Sequence, residues 1–178
     1  MRIIRHRRIV EDSYRHVQDG AELPESGDVF VTLGRWIAQR EALLGRVGEV
    51  GVRVPPDVDP EHLAEHLLGV AAVAIPFPKF TDGRGYSVAR LLRERYAYRG
   101  QLRAVGQVLR DQLFYMERCG FDAFELAPGK DPQDALLAFE ELSVTYQPAA
   151  DEPLPLWRRR RWAQRAPAVA LAGEEASG

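Results

Sequence analysis

From residue 27 to residue 147 the chain alternates short apolar runs with segments whose apolar side chains recur at helical spacing. Residues 28–33 (DVFVTL) read as a strand. Residues 34–44 then place Trp36, Ile37, Arg40, Leu43 and Leu44 at helical spacing, and Gly45 stops that helix. Residues 49–54 (EVGVRV) form a second strand, ended by Pro55 and Pro56. Asp59 and Pro60 start the next helix, since proline suits the first helical position; Leu63, Leu67 and Leu68 supply its apolar face and Gly69 ends it. The third strand covers residues 70–77. Its helix runs over residues 87–98, with Val88, Leu91, Leu92 and Arg95 on one face and Gly100 as the stop. A fourth strand at 102–105 precedes a helix at 108–118 that buries Leu109, Leu113 and Met116 and ends at Gly120. The fifth strand is 123–126. The last helix, 132–142, opens with Asp131 as cap and buries Leu136, Leu137 and Phe139. Ahead of this pattern, residues 1–26 read as one short strand around residues 8–10 and a polar connection.

Five consecutive strand–helix units predict an α/β fold with a parallel sheet covered by helices on both faces. A complete (β/α)₈ barrel takes about 200 residues or more, and the pattern occupies only residues 27–147. The expectation is therefore an open, doubly wound parallel sheet of about five strands with right-handed crossovers. A partial (β/α) barrel is the alternative.

Composition narrows the function classes. A chain of 178 residues with 46% hydrophobic and 28% charged residues is long enough for one domain with a real core. The net charge of −2 gives no reason to expect a nucleic-acid partner or strong attraction to membranes. The longest apolar run, residues 70–78, is too short to span a bilayer, and the basic N-terminus lacks the long apolar run of a signal peptide. A single cysteine, Cys119, rules out an internal disulfide and a cysteine-based zinc site, so a cytoplasmic protein is expected. Residues 148–178, rich in proline and alanine, are expected to be a largely disordered tail. The tail contains LPLWRRRRWAQR, with four arginines between Trp157 and Trp162. That run reads either as an interaction peptide for an acidic partner or as a solvated stretch offset by Asp151, Glu152, Glu174 and Glu175, and the second reading is favoured.

The richest concentration of chemistry is the loop PFPKFTDGRGYS at residues 76–87, after the third strand and before the third helix. In parallel sheets ligands bind at the carboxyl ends of strands. Gly83 and Gly85 are expected to permit positive φ and close approach of a ligand. Lys79 and Arg84 supply positive charge, and Ser87 and the helix start supply donors, so together they predict an anion pocket. Asp82 can orient Arg84 or accept a proton, and Tyr86 can cover the ligand; Asp82 and Arg84 are the residues expected to take part in chemistry. The bland alternative is a tight turn at Asp82–Gly83, Ser87 as a helix cap, and a solvated Arg84. In a five-strand order of 2-1-3-4-5 the switch point would bring Arg35 beside this loop, with Asp111 at the start of a later helix. Cys119 sits at a helix end on the opposite edge and reads as a buried structural thiol. His62 and His66 have metal-binding spacing on one helix, but Leu63 and Leu67 claim the buried face and no third ligand is evident, so no metal site is expected. No motif for NAD, FMN or an iron–sulfur cluster is present.

The runs FPKFTDGRGYSVARLLRER, LRAVGQVLRDQLFY and RCGFDAFEL resemble one bacterial family, domain of unknown function 934, sometimes labelled as oxidoreductases. The resemblance is densest over residues 77–125 and looser out to residues 27 and 147. Its members are usually encoded beside the haemoprotein subunit of assimilatory sulfite reductase. The resemblance therefore implies an accessory role in sulfate assimilation and cysteine biosynthesis, with that haemoprotein or an anionic ligand as partner. A small enzyme acting on an anionic sulfur- or phosphate-containing metabolite is the alternative, and a non-catalytic scaffold is a third.

Overall fold

The computed structural model describes residues 1–79 and 81–139, so the expectations for the tail lie outside the described residues. Six parallel strands have the same order in space as in the chain. They are β3 (Arg15–His16), β4 (Val29–Thr32), β5 (Val50–Arg53), β6 (Ala72–Phe77), β7 (Gln101–Gly106) and β8 (Ala123–Phe124). A hairpin of β1 (Arg2–Arg5) and β2 (Arg8–Glu11) extends the sheet past β8, with β1 antiparallel to β8. The expected five strands are thus eight, and the N-terminal residues contribute three of them.

The sequential order also overturns the doubly wound expectation. Double winding requires a point where sheet growth reverses; here every crossover steps the same way, which puts the helices on one face. The outward strand residues Val29, Val31, Val50, Val52, Val73, Ile75, Leu102 and Ala104 share a core with Trp36, Leu43, Leu63, Leu92, Leu113 and Met116 from the helices. Their neighbours in the alternation, Phe30, Ala72, Ala74 and Val105, belong to a separate inner cluster. The inner face mixes these apolar residues with a few polar ones, so the strands read as nearly continuous apolar runs and their pattern does not reveal the winding. The helices are α1 (Leu33–Ala38), α2 (Arg40–Leu44), α3 (Pro60–Glu65), α4 (Arg84–Glu94), α5 (Leu113–Arg118) and α6 (Pro132–Leu137). Asp59 and Asp131 cap α3 and α6 as expected, each followed by proline at the first helical position.

The sheet is strongly curled. Only Asp12, Ser13 and Tyr14 join β2 at one edge to β3 at the other. In a flat eight-stranded sheet those edges would stand about 34 Å apart, whereas four chain steps reach about 14 Å. The edges therefore approach one another, and the structure is a partial barrel, the alternative architecture. His16 on β3 lies 3.4 Å from Glu125, the residue just beyond β8.

A buried ion pair straps the closure. Arg103 of β7 points inward, 1% exposed, and its two terminal nitrogens donate to the two oxygens of Asp12 at 2.8 Å each. With the Gln101 amide turned so that its oxygen faces the guanidinium, that oxygen accepts from Arg103 Nε at 2.8 Å. The guanidinium lies 4.8 Å from the Phe30 ring centre and 5.1 Å from that of Tyr14. Tyr14 donates to Glu49 at 2.6 Å. Burial, then the Glu49 carboxylate, pushes the Tyr14 hydroxyl far above its ordinary value, so it remains a donor. At the amino ends of the strands, Arg93 also donates to the carbonyls of Tyr98, Gly100 and Gly120 and to Asp122. Burial raises the Asp122 carboxyl while Arg93 opposes it.

Candidate functional site

Strand register decides what faces the inside of the curl. Thr32, Arg53, Ala74, Arg103 and Ala123 are successive Cα partners across β4 to β8 and form one inward row. His16, Phe30, Gly51, Ala72 and Gln101 form the row beneath it. Continuing the alternation one step towards the carboxyl ends brings Pro76, Val105 and Glu125 inward. At this mouth lies a cavity of about 840 Å³, lined by His16, Thr32, Arg53, Pro76, Val105, Gly106 and Glu125, with Ile37, Val54, Pro55 and Pro56 as apolar walls.

Three features give the mouth chemical potential. Arg53 is half-buried and makes no hydrogen bond or ion pair among the described residues, so its guanidinium is available to an oxyanion. His16 Nε2 and Glu125 Oε2 are buried atoms without hydrogen-bond partners, set 3.4 Å apart. Such atoms cost stability unless something satisfies them. Phe30 backs the lining from beneath, as a floor under His16: the His16 ring stacks on it at 5.0 Å and 17°, with Arg103 held over the same ring. Gly51 leaves room for that floor, since a Cβ there would sit 2.4 Å from the Phe30 ring. Thr32 is engaged, donating to Asp19 at 2.7 Å and accepting from the Arg35 backbone.

Among the described residues, none of 79 and 81–87 lines this cavity. Arg84 turns back on its own loop, donating through Nε and Nη2 to the two Asp82 oxygens at 3.0 and 2.7 Å. Those hydrogen bonds hold the Asp82 carboxyl at about 2, which leaves it a weak base at neutral pH. Gly83 has φ −86° and Gly85 is helical, so the expected positive φ is absent at both. Gly85 serves packing instead, since a Cβ there would meet the Phe77 ring at 2.8 Å. Helix α4 begins at Arg84 with Gly83 as its cap residue, so Ser87 lies inside the helix rather than capping it. Lys79 and Ser87 are exposed, and Tyr86 packs edge-on against Phe77. Arg35 bonds Gln39 and the Gln18 carbonyl; β5 separates its strand from β6, so the juxtaposition expected from a switch point does not arise. Asp111 is exposed in a 3₁₀ turn. Cys119 is buried at the end of α5. Glu65, which flanks His62 and His66 on the same helix, brings a ligand atom within 4.8 Å of theirs.

The Asp82–Arg84 pairing has a direct check. In a carbon-detected NMR titration Asp82 titrates near pH 2, and in Arg84→Ala its midpoint returns towards the ordinary aspartate value. The carboxyl is depressed by folding, so any stability the pair contributes is present above the unfolded value and is lost as pH falls through about 2.

The inward polar residues of the mouth and the strap are visible in the sequence as interruptions of apolar strands: Arg53 in EVGVRV, Arg103 in LRAV and Glu125 in FEL. Their signal was parity, but inward parity has meaning only once the sheet is known to curl. A family model described as a bacterial protein of unknown function, DUF934, matches residues 51–157. The chain belongs to the DUF934 family. Comparisons with curated proteins and with solved structures give no match. Within the DUF934 match lie Arg53, Arg103, Gly106 and Glu125, whereas His16, Phe30 and Thr32 precede it.

Proposed function

We propose that this DUF934 protein binds an anionic metabolite in the mouth of its curled sheet, as a cytoplasmic accessory of assimilatory sulfite reduction. The sulfite-reduction setting comes from the family resemblance. The observation that carries the binding reading is the half-buried, unpartnered Arg53 in a cavity of about 840 Å³ at the carboxyl ends of parallel strands. Sites of this size take up ligands well beyond a bare oxyanion. Arg53 then meets a sulfur or phosphorus oxyanion head while Ile37, Val54 and the prolines cover a larger organic body.

Calorimetry and thermal shift with sulfite, sulfate, phosphate and their nucleoside esters test this. The esters bind more tightly than the bare ions. Arg53→Ala weakens binding about tenfold to a hundredfold, the loss expected for charge-assisted hydrogen bonds, and Arg84→Ala leaves it unchanged. No oxyanion response, or one that depends on Arg84 and not Arg53, overturns the reading.

The unpartnered His16–Glu125 pair favours a second reading, a small enzyme or oxidoreductase acting on the same metabolite class. In that case His16→Gln and Glu125→Gln keep ligand affinity within a few-fold but fail to restore growth on sulfate in a deletion strain. Rescue by both variants returns the role to binding alone. Capture of the reductase haemoprotein that survives Arg53→Ala favours docking or scaffolding.

A further inference from the structure

We propose that His62, Glu65 and His66 form a surface site for a divalent transition metal of the zinc class, separate from the mouth. Three donors at i, i+3 and i+4 share one side of a helix. One ligand atom from each lies within 4.8 Å of the others. His62 Nδ1 stands 3.9 Å from Glu65 Oε2, and the two imidazole rings meet edge-on at 4.8 Å between centres. Metal–ligand bonds of 2.0–2.2 Å in a tetrahedron set donors roughly 3.3–3.6 Å apart. Exposed side chains reach that spacing by small torsional changes. Among the described residues no hydrogen bond occupies these three side chains, and the His62–Glu65 contact lies within the trio, so metal binding displaces no outside partner.

The backbone beneath the donors is already placed. Leu63 is fully buried and Leu67 nearly so, which fixes the rotation of α3 and turns residues 62, 65 and 66 away from the core. Asp59 and Pro60 define its first turn. The segment just after the helix is tied to neighbouring elements: Trp36 Nε1 donates to the carbonyl of the cap residue His66 at 2.8 Å and Arg40 Nη2 to the Leu68 carbonyl at 2.7 Å. A helix of six residues has little stability of its own. A metal bridging positions 62 and 66 staples its final turn, and binding to the folded chain alone stabilises it by mass action.

Two imidazoles and one carboxylate select zinc, copper, nickel or cobalt over magnesium or calcium, which prefer all-oxygen sites. The protein supplies three ligands, and the remaining position faces solvent, where water completes the sphere.

The test uses the untagged full chain, stripped with chelator and titrated with Zn²⁺ by calorimetry, with Co²⁺ absorption reporting coordination. One ion binds per chain and raises Tm by a few degrees at saturation. His62→Ala and His66→Ala each weaken binding by about tenfold or more, Glu65→Gln weakens it less, and His6→Ala leaves it unchanged. All four positions lie on the surface or at a helix end, and circular dichroism verifies that the variants remain folded. Absence of saturable one-to-one binding, or binding that persists in the His62→Ala/His66→Ala double variant, overturns the site. Mg²⁺ matching Zn²⁺ overturns its assignment to the zinc class.

Discussion

Asp12→Ala will destabilise the protein by about 3–5 kcal/mol, the cost of leaving a buried charge without its partner. Arg103 and Asp12 have side-chain exposures of 1% and 2% and meet through two bonds of 2.8 Å, so no water is at hand to replace the carboxylate. Gln101 satisfies only one flank of the guanidinium, and the rings of Phe30 and Tyr14 give it a polarisable bed without neutralising it. The loss also has a topological side. Asp12 belongs to the three-residue link between β2 and β3, so its bond to β7 helps hold the two edges of the curled sheet together. Chemical denaturation followed by circular dichroism measures the effect. The double variant Asp12→Ala/Arg103→Met should recover much of the loss, since removing both charges leaves none stranded. If Asp12→Ala is within about 1 kcal/mol of the parent, a typical surface-pair value, the strap does not exist as described.

Phe30→Ala will cost a similar amount, about 3–5 kcal/mol for a fully buried ring, and will also weaken ligand binding at the mouth. The ring is 1% exposed and supports three side chains at once: His16 stacked at 5.0 Å, Tyr14 at 4.6 Å, and Arg103 above its face. Its removal opens a cavity next to Gly51, Ala72 and Ala74, side chains too small to collapse into it. Phe30→Leu separates the two effects. Packing volume is largely retained, so stability falls by less, while His16 loses its stacking surface. Calorimetry on Phe30→Leu that shows unchanged affinity would mean the floor has no part in positioning the site.

Much of the local structure could be read from residue order. Asp59–Pro60 and Asp131–Pro132 announced helix starts because capping and proline placement are local effects, and both caps are made as expected. The apolar runs at residues 28–33, 49–54 and 70–77 are strands because β-rich, continuously apolar segments bounded by glycine and proline have few other uses. Strands β1 and β3 were missed. Arg15–His16 is two residues long, and RIIR is half arginine, so neither carries a pattern; both exist because a neighbouring ladder supplies their hydrogen bonds.

The site shows the same division. Charge, glycine and position drew attention to residues 79–87, yet Arg84 bonds its own neighbour Asp82 and Gly85 is spent on packing against Phe77. Arg53 carried no signal of its own, Glu125 stood at the end of the fifth strand on the same edge as that loop, and His16 lay in a segment without a pattern. The sequence alone determined the α/β class, the strand–helix rhythm and family membership, because these rest on short-range periodicity and on motif identity. Only the tertiary structure decided the winding direction, the curl and the location of the mouth. Each of those depends on which strands become neighbours, and contacts such as Asp12 to Arg103 or His16 to Glu125 join residues that local propensity does not couple.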